Sequence, residues 1–136
     1  MKMNSTTTII VNPYCHQGKG WQRWKEVREI ITARIPDAYS LVLEKGVSLS
    51  TTLDHLLSAG PSYLISAGGD GTVHHLINTL IKYHPGQLKH VTLGAIGLGS
   101  SNDFIKPAKS AIRNIPVRID DSRLVDHDLG KIEFTD

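Results

Sequence analysis

The chain has 136 residues, 40% of them hydrophobic and 21% charged, which is enough apolar material for the core of one domain of ordinary size. Its net charge of +2 is too small for the footprint of a nucleic-acid-binding protein, and no apolar run approaches the ~18 residues that span a bilayer. A single cysteine, Cys15, excludes an intramolecular disulfide, and the N-terminus MKMNSTTTIIV lacks the apolar core of a signal peptide. We therefore expect a cytoplasmic protein with no nucleic acid among its partners.

Short apolar runs alternate along the chain with helical patterns. The runs that predict strands are residues 7–11, 39–44, 63–67 and 91–96. The apolar residues that recur at helical spacing lie within residues 24–35, 49–57 and 73–81. Polar residues of the first helix, Arg23 among them, lie mostly away from its apolar stripe. Strands that alternate with helices predict an α/β fold, a three-layer domain with a mainly parallel sheet.

Three loops leave the carboxyl ends of predicted strands. They are the loop that begins at Asn12-Pro13, the turn at residues 68–72 and the turn at residues 97–103. Ligands of open α/β sheets bind at the carboxyl ends of the strands. We therefore expect the three loops to converge on one crevice.

The middle turn has the sequence GGDGT, with a carboxylate between glycines. The glycines permit a positive φ and a close backbone approach, and the free N–H groups of the following helix favour an anion such as phosphate. Asp70 does not suit direct contact with phosphate, because two adjacent anions repel each other. Its expected partners are Mg²⁺, a water on that ion, or a hydroxyl group to be deprotonated. The alternative is a tight turn in which Asp70 only caps the helix.

Three motifs resemble those of a known family. GGDGT resembles the signature that lipid kinases share with NAD kinases and ATP-dependent phosphofructokinases, all of which transfer the γ-phosphoryl group of a nucleotide. VNPYCHQGKG, from residue 11, resembles the Asn-Pro loop of diacylglycerol and sphingosine kinases, and LGAIGLGSSNDF, from residue 93, resembles their P-L-G-T-x-N-D-F turn. The combination resembles the diacylglycerol kinase catalytic family as far as VDHDLGKI, which ends at residue 132.

This resemblance implies a fold like the N-terminal domain of NAD kinases and diacylglycerol kinases, with ATP as phosphoryl donor and Mg²⁺ as its ion. The residues that it places around the nucleotide are Asn12, Pro13, Gly68, Gly69, Asp70, Gly71, Thr72, Gly99, Ser100 and Asn102. The carboxylates that it places beside the transferring phosphate, as catalytic groups and as Mg²⁺ ligands through water, are Asp70, Asp103 and Asp128. Phosphoryl transfer requires positioning and neutralisation of charge, which carboxylates with Mg²⁺ supply. His16 departs from the pattern, because it stands where the family usually has glycine.

Members of the family carry a second, β-rich domain with the acceptor-lipid pocket and a glutamate base. We therefore expect residues 1–136 to be the nucleotide-binding domain of a lipid kinase and to be inactive in isolation. The implied acceptor is a membrane lipid, with diacylglycerol first and a sphingoid base second. Four basic residues within 106–118, and no acidic one, are compatible with peripheral contact at the inner membrane surface, and a homodimer stays open. The alternatives are an NAD kinase-like enzyme and a non-catalytic nucleotide-binding or regulatory module.

Overall fold

The computed structural model describes residues 6–58, 62–106 and 110–119, and it confirms the α/β class. Its strands are β1 (Thr6–Val11), β2 (Tyr39–Val42), β3 (Ser62–Gly68), β4 (Val91–Gly97), β5 (Ala111–Ile112) and β6 (Ile115–Arg118). Its α-helices are α1 (Lys19–Arg34), α2 (Leu49–Leu57) and α3 (Asp70–Tyr83). Short 3-10 helices form at His16–Gly18, Pro85–His90 and Asp103–Ile105. None of the helices in these ranges has the length and apolar character needed to cross a membrane.

The six strands form one mixed sheet in the order β2-β1-β3-β4-β6-β5. Strands β1 to β4 run parallel to one another, whereas β6 runs antiparallel to both β4 and β5. The register pairs Val11 with Ala67, and Gly68 with Gly97. Consequently β1, β3 and β4 end at the same edge, and the loops that follow them leave the sheet side by side.

Helices cover both faces of the sheet. The inner stripe of α1, formed by Trp24, Val27 and Ile31, packs with Ile9 and Ile65 on one face. On the other face α2 and α3 pack against the alternate residues of the same strands; the buried members of this second cluster are Ile10, Leu49, Leu53, Leu57, Leu64, Leu76 and Leu80. The fold therefore has the three predicted layers, and α1 and α3 approach the same sheet edge from opposite faces.

Two features differ from the sequence prediction. Strand β2 ends at Val42, although the apolar pattern predicts strand as far as residue 44. The β5–β6 hairpin was not predicted, because its strands have two and four residues and its turn contains no glycine. That turn is Arg113-Asn114, with φ values of 50° and 65°, and two central residues at positive φ match the twist of a two-residue hairpin.

Candidate functional site

The Asn-Pro loop is tied to the start of α3 by the side chain of Asn12. Its Nδ2 donates a hydrogen bond of 2.9 Å to the hydroxyl oxygen of Thr72, and its Oδ1 accepts one of 3.0 Å from the Tyr14 N–H. The Asn12 N–H donates to the carbonyl of Ala67 at 2.9 Å, which extends the β1–β3 pairing by one bond. The loop after β1 and the turn after β3 are therefore held together, as the sequence predicts.

The two glycine turns touch through their backbones. A Cβ built on Gly99 would lie 2.5 Å from the Cα of Gly69, and one built on Gly69 would lie 3.2 Å from the Cα of Gly99. Beneath this contact the Leu98 N–H donates to the carbonyl of Gly68 at 2.9 Å. Only residues without a side chain allow the turns after β3 and β4 to approach this closely.

These turns require glycine because a side chain would not fit, and not because the backbone adopts a positive φ. The described glycines with positive φ are Gly18 and Gly46, which lie outside both turns, so the positive φ that glycine permits is not used within GGDGT. At Gly68 an added Cβ would overlap the side chain of Thr72, which folds back over it and is 8% exposed. Gly71 differs from its neighbours, because an added Cβ there meets no described atom within 4 Å. The space beside Gly71 is therefore free of described atoms.

Asn102 shapes the second turn. It adopts the left-handed conformation with φ 55°, which asparagine tolerates better than most residues, and it is 9% exposed. Its Oδ1 accepts the Gly99 N–H at 3.0 Å, and its Nδ2 donates to the Gly99 carbonyl at 2.9 Å. Both ends of the amide are thus bound within the turn, so Asn102 acts on the site through the shape of the backbone.

Two of the three predicted carboxylates lie in or beside the glycine turns. Asp70 is the first residue of α3 and follows the N-cap Gly69, so it does not occupy the capping position. Instead its Oδ1 accepts the Phe104 N–H at 3.1 Å, which joins the first glycine turn to the segment beside Asp103. The alternative that Asp70 only caps α3 is therefore wrong in its geometry.

Asp103 is exposed and pairs with Lys106, whose Nζ lies 2.9 Å from its Oδ1. The hydrogen bond and the charge of Asp103 raise the pKa of Lys106, and the charge of Asp70 adds a smaller effect in the same direction. Asp128 lies outside the described residues. Within residues 6–58, 62–106 and 110–119 no three His, Cys, Asp or Glu side chains form a cluster that could hold a metal ion. The described part of the site therefore offers two carboxylates.

The start of α3 has unpaired donors. The N–H groups of Asp70 and Gly71 belong to the first turn of the helix, where no carbonyl precedes them within the helix, and they bond no other described residue. The hydroxyl oxygen of Thr72 accepts from Asn12, which leaves its own hydrogen to donate. Free N–H groups at the positive end of a helix dipole form an anion site.

Sequence reasoning missed two residues of the site. The Nη1 of Arg23 donates to the carbonyl of Gly99 at 2.9 Å, although Arg23 lies off the apolar stripe of α1. Cys15 is partly buried against the same loops, and burial raises the pKa of its thiol above 9.0, opposed by hydrogen bonds of its own backbone, by the charge of Arg23 and by the backbone of Gly69. Cys15 lies within the Asn-Pro motif and Arg23 lies outside all three motifs, and the contacts of both depend on how α1 meets the glycine turns.

Comparisons with known proteins identify the family and the fold of the chain. Residues 6–132 match the family model described as the diacylglycerol kinase catalytic domain. A crystal structure from Bacillus anthracis str. Sterne, of a protein assigned as a diacylglycerol kinase, is similar over 84% of this chain and 40% of its own, with 24% identity and a TM-score of 0.60. A second one, of a diacylglycerol kinase from the same organism, is similar over 76% of this chain and 34% of its own, with 27% identity and a TM-score of 0.57.

The chain therefore spans 40% or less of the length of these two solved structures. The likeness at 24% identity establishes the fold, and the family model covers nearly all of the chain. A search of the curated proteins gives no significant match.

Proposed function

This chain belongs to the family of the diacylglycerol kinase catalytic domain, and we propose that it forms the nucleotide-binding half of an ATP-dependent lipid kinase. The proposed enzyme transfers the γ-phosphoryl group of ATP to a lipid hydroxyl. Diacylglycerol is the first candidate acceptor, because relatives in solved structures carry that name, and a sphingoid base is the second. The acceptor pocket and the general base are expected in a β-rich domain beyond the 136 residues.

One observation carries the nucleotide assignment: the three loops interlock at one sheet edge around unpaired N–H groups and two carboxylates. The Asp70 and Gly71 N–H groups and the Thr72 hydroxyl are donors for phosphate oxygens, and the space beside Gly71 is open. Ser100 and Pro13 border the same crevice by their place in the chain. In this proposal the phosphate chain lies across the start of α3, where the free backbone N–H groups donate to it.

The carboxylates fit Mg²⁺ in this arrangement. Oxygen ligands are those that the ion prefers, and it commonly keeps several waters and takes one or two carboxylates together with phosphate oxygens. Asp70 has one oxygen bound to the Phe104 N–H, and its second oxygen bonds no described residue. When bound, Mg²⁺ neutralises the charge that builds up on the transferring phosphoryl group. Asp70 and Asp103 hold its water shell in this proposal, with Asp128 as a third, still unplaced ligand.

Membrane contact is part of the proposal, because the acceptor is a lipid. The described basic side chains of the segment 106–118 are Lys106, Arg113 and Arg118. Each Lys or Arg near an anionic surface adds about 1 kcal/mol of attraction. Arg118 also donates to the Ile105 carbonyl at 3.2 Å, so it holds the segment after Asp103 as well.

The test is phosphoryl transfer by the full-length protein. Radiolabelled ATP is offered with vesicles that contain diacylglycerol, sphingoid bases or ceramide, and separately with NAD or fructose 6-phosphate. We expect label in the lipid extract with diacylglycerol vesicles. Label in NADP with none in lipid would establish the NAD kinase-like alternative, and ATP binding without transfer to any acceptor would establish a non-catalytic module. The isolated 136 residues are expected to bind ATP weakly and to phosphorylate no lipid.

A further inference from the structure

The guanidinium of Arg23 reaches from α1 to the second glycine turn. Its Nη1 lies 2.9 Å from the carbonyl oxygen of Gly99 and 3.4 Å from that of Leu98. The two contacting residues are 75 and 76 positions away in the chain, so the bond joins α1 to the loop after β4. Arg23 is partly buried, and within the part of the chain that the structure describes no carboxylate pairs with it.

The Gly99 carbonyl is held by two donors. Asn102 Nδ2 donates to it at 2.9 Å, and Arg23 Nη1 donates to it at the same distance. A carbonyl oxygen has two lone pairs, so these two donors occupy its full accepting capacity. The orientation of this carbonyl is consequently fixed from both the turn and α1.

Fixing this carbonyl also fixes the next N–H group. The C=O of Gly99 and the N–H of Ser100 belong to one planar trans peptide, in which they point in opposite directions. With the carbonyl drawn towards Arg23, the Ser100 N–H points away from α1. Ser100 is exposed, and its N–H bonds no other residue in the described ranges.

We propose that Arg23 is a positioning residue that orients the Ser100 N–H as a hydrogen-bond donor to the phosphate chain of the nucleotide. This inference rests on the proposed nucleotide site and adds a residue that none of the three motifs contains. Arg23 does not touch the nucleotide in this assignment. It acts through the Gly99–Ser100 peptide, and it stabilises one orientation of that peptide before the nucleotide binds.

The test compares two substitutions at residue 23 in the full-length protein. Arg23→Met keeps much of the aliphatic length but removes the donor, whereas Arg23→Lys keeps a charged donor on a flexible stem. Arg28→Met, on the exposed side of α1, is the matched control. The readouts are MgADP and adenosine affinity by calorimetry, kcat/KM for ATP, KM for the lipid, and Tm.

A misplaced Ser100 N–H loses its hydrogen bond to the charged phosphate, and loss of such a bond weakens binding by about tenfold or more. We expect Arg23→Met to lower MgADP affinity and kcat/KM for ATP by about that factor, with adenosine affinity and the KM for lipid unchanged. Arg23→Lys should recover most of the loss, and Arg28→Met should match the wild type. If Arg23→Met does not fold, Arg23→Gln, a neutral donor, should show an intermediate loss.

Equal losses for MgADP and adenosine would overturn the proposal, and so would a lower Tm with unchanged nucleotide affinity. These outcomes are distinguishable from failure of the proposed function. If the wild type binds MgADP but phosphorylates no lipid, the acceptor assignment fails while the Arg23 comparison still stands. If the wild type binds no nucleotide, both proposals fail.

Discussion

Adding one methyl group at Gly99 should separate the two glycine turns. The Cβ of Gly99→Ala would lie 2.5 Å from the Cα of Gly69, about 1 Å inside the 3.4 Å at which ordinary contact begins. The position of the new Cβ is fixed by the backbone of residue 99, and the atom that it meets is also backbone, so no side-chain rotation relieves the overlap and the turns must move apart. Overpacking of this kind costs about 1–3 kcal/mol. For a domain of this size the loss lowers Tm by roughly 3–12 °C.

Gly71→Ala is the matched control from the first turn. Its Cβ meets nothing within 4 Å, and alanine is favoured over glycine in a helix by roughly 0.5–1 kcal/mol. Folding stability should therefore be unchanged or slightly higher. Nucleotide affinity should nevertheless fall by about tenfold or more, because the methyl group occupies the open space at the start of α3 where phosphate is proposed to lie, and a tenfold loss corresponds to only ~1.4 kcal/mol.

Thermal denaturation and ATP titration of both variants check this pair. We expect Gly99→Ala to be the less stable protein and Gly71→Ala to be a stable protein with weakened nucleotide binding. A Gly99→Ala variant as stable as the wild type would refute the contact between the turns. A Gly71→Ala variant with wild-type affinity would place the phosphates elsewhere.

Three further predictions follow from single residues. Asp70→Asn keeps an oxygen that accepts the Phe104 N–H, so folding should survive while kcat falls by at least ~10²-fold; near-normal turnover with a lower Tm would show a purely structural role. Burial raises the pKa of Cys15, so iodoacetamide should alkylate it more slowly near pH 8 in the native protein than in urea. The raised pKa of Cys15 contributes folding stability that is complete below the unfolded-state pKa and is lost as the pH rises through the folded-state pKa. The Cys15→Ala variant should not show this loss of stability at high pH. His16→Gly, at φ 54°, should raise stability by up to about 1 kcal/mol in urea denaturation, whereas Gln22→Gly within α1 should lower it by about the same amount.

The parallel part of the fold was predictable because its signals are local. Apolar periodicity gave the first four strands and three helices, since a buried strand and an amphipathic helix each impose their own spacing on the sequence. Strand β2 is shorter than predicted because it lies at the sheet edge, where Tyr39 and Val42 are exposed and burial no longer constrains the pattern. The β5–β6 hairpin was not predicted, because Arg113-Asn114 adopts positive φ without the glycine that usually marks such a turn.

The site was predictable in its components but not in its contacts. The three motifs mark the loops, and the rule that parallel strands end at one edge predicts that they meet. The motifs GGDGT and GLGSSNDF do not indicate that Gly69 and Gly99 are in contact. That contact depends on β3 and β4 being neighbours in the sheet. The contact made by Arg23 is harder still to predict, since the helical wheel places this residue away from the core. Its hydrogen-bond partner is the backbone carbonyl of Gly99, 76 residues away, and a pattern of side chains does not identify a backbone carbonyl as a partner.

Asp70, the carboxylate between glycines, combines a structural role with a proposed catalytic role, although the sequence alone presents these two roles as alternatives. One oxygen of Asp70 accepts the Phe104 N–H, so the side chain has a structural role, although not the helix cap that its position suggests. That bond also fixes the carboxylate at the start of α3, and it leaves the second oxygen without a partner among the described residues. A carboxylate held by one oxygen loses less conformational entropy when the other oxygen engages a hydrated cation. The structural bond therefore prepares Asp70 for the proposed chemistry, and the two roles support each other.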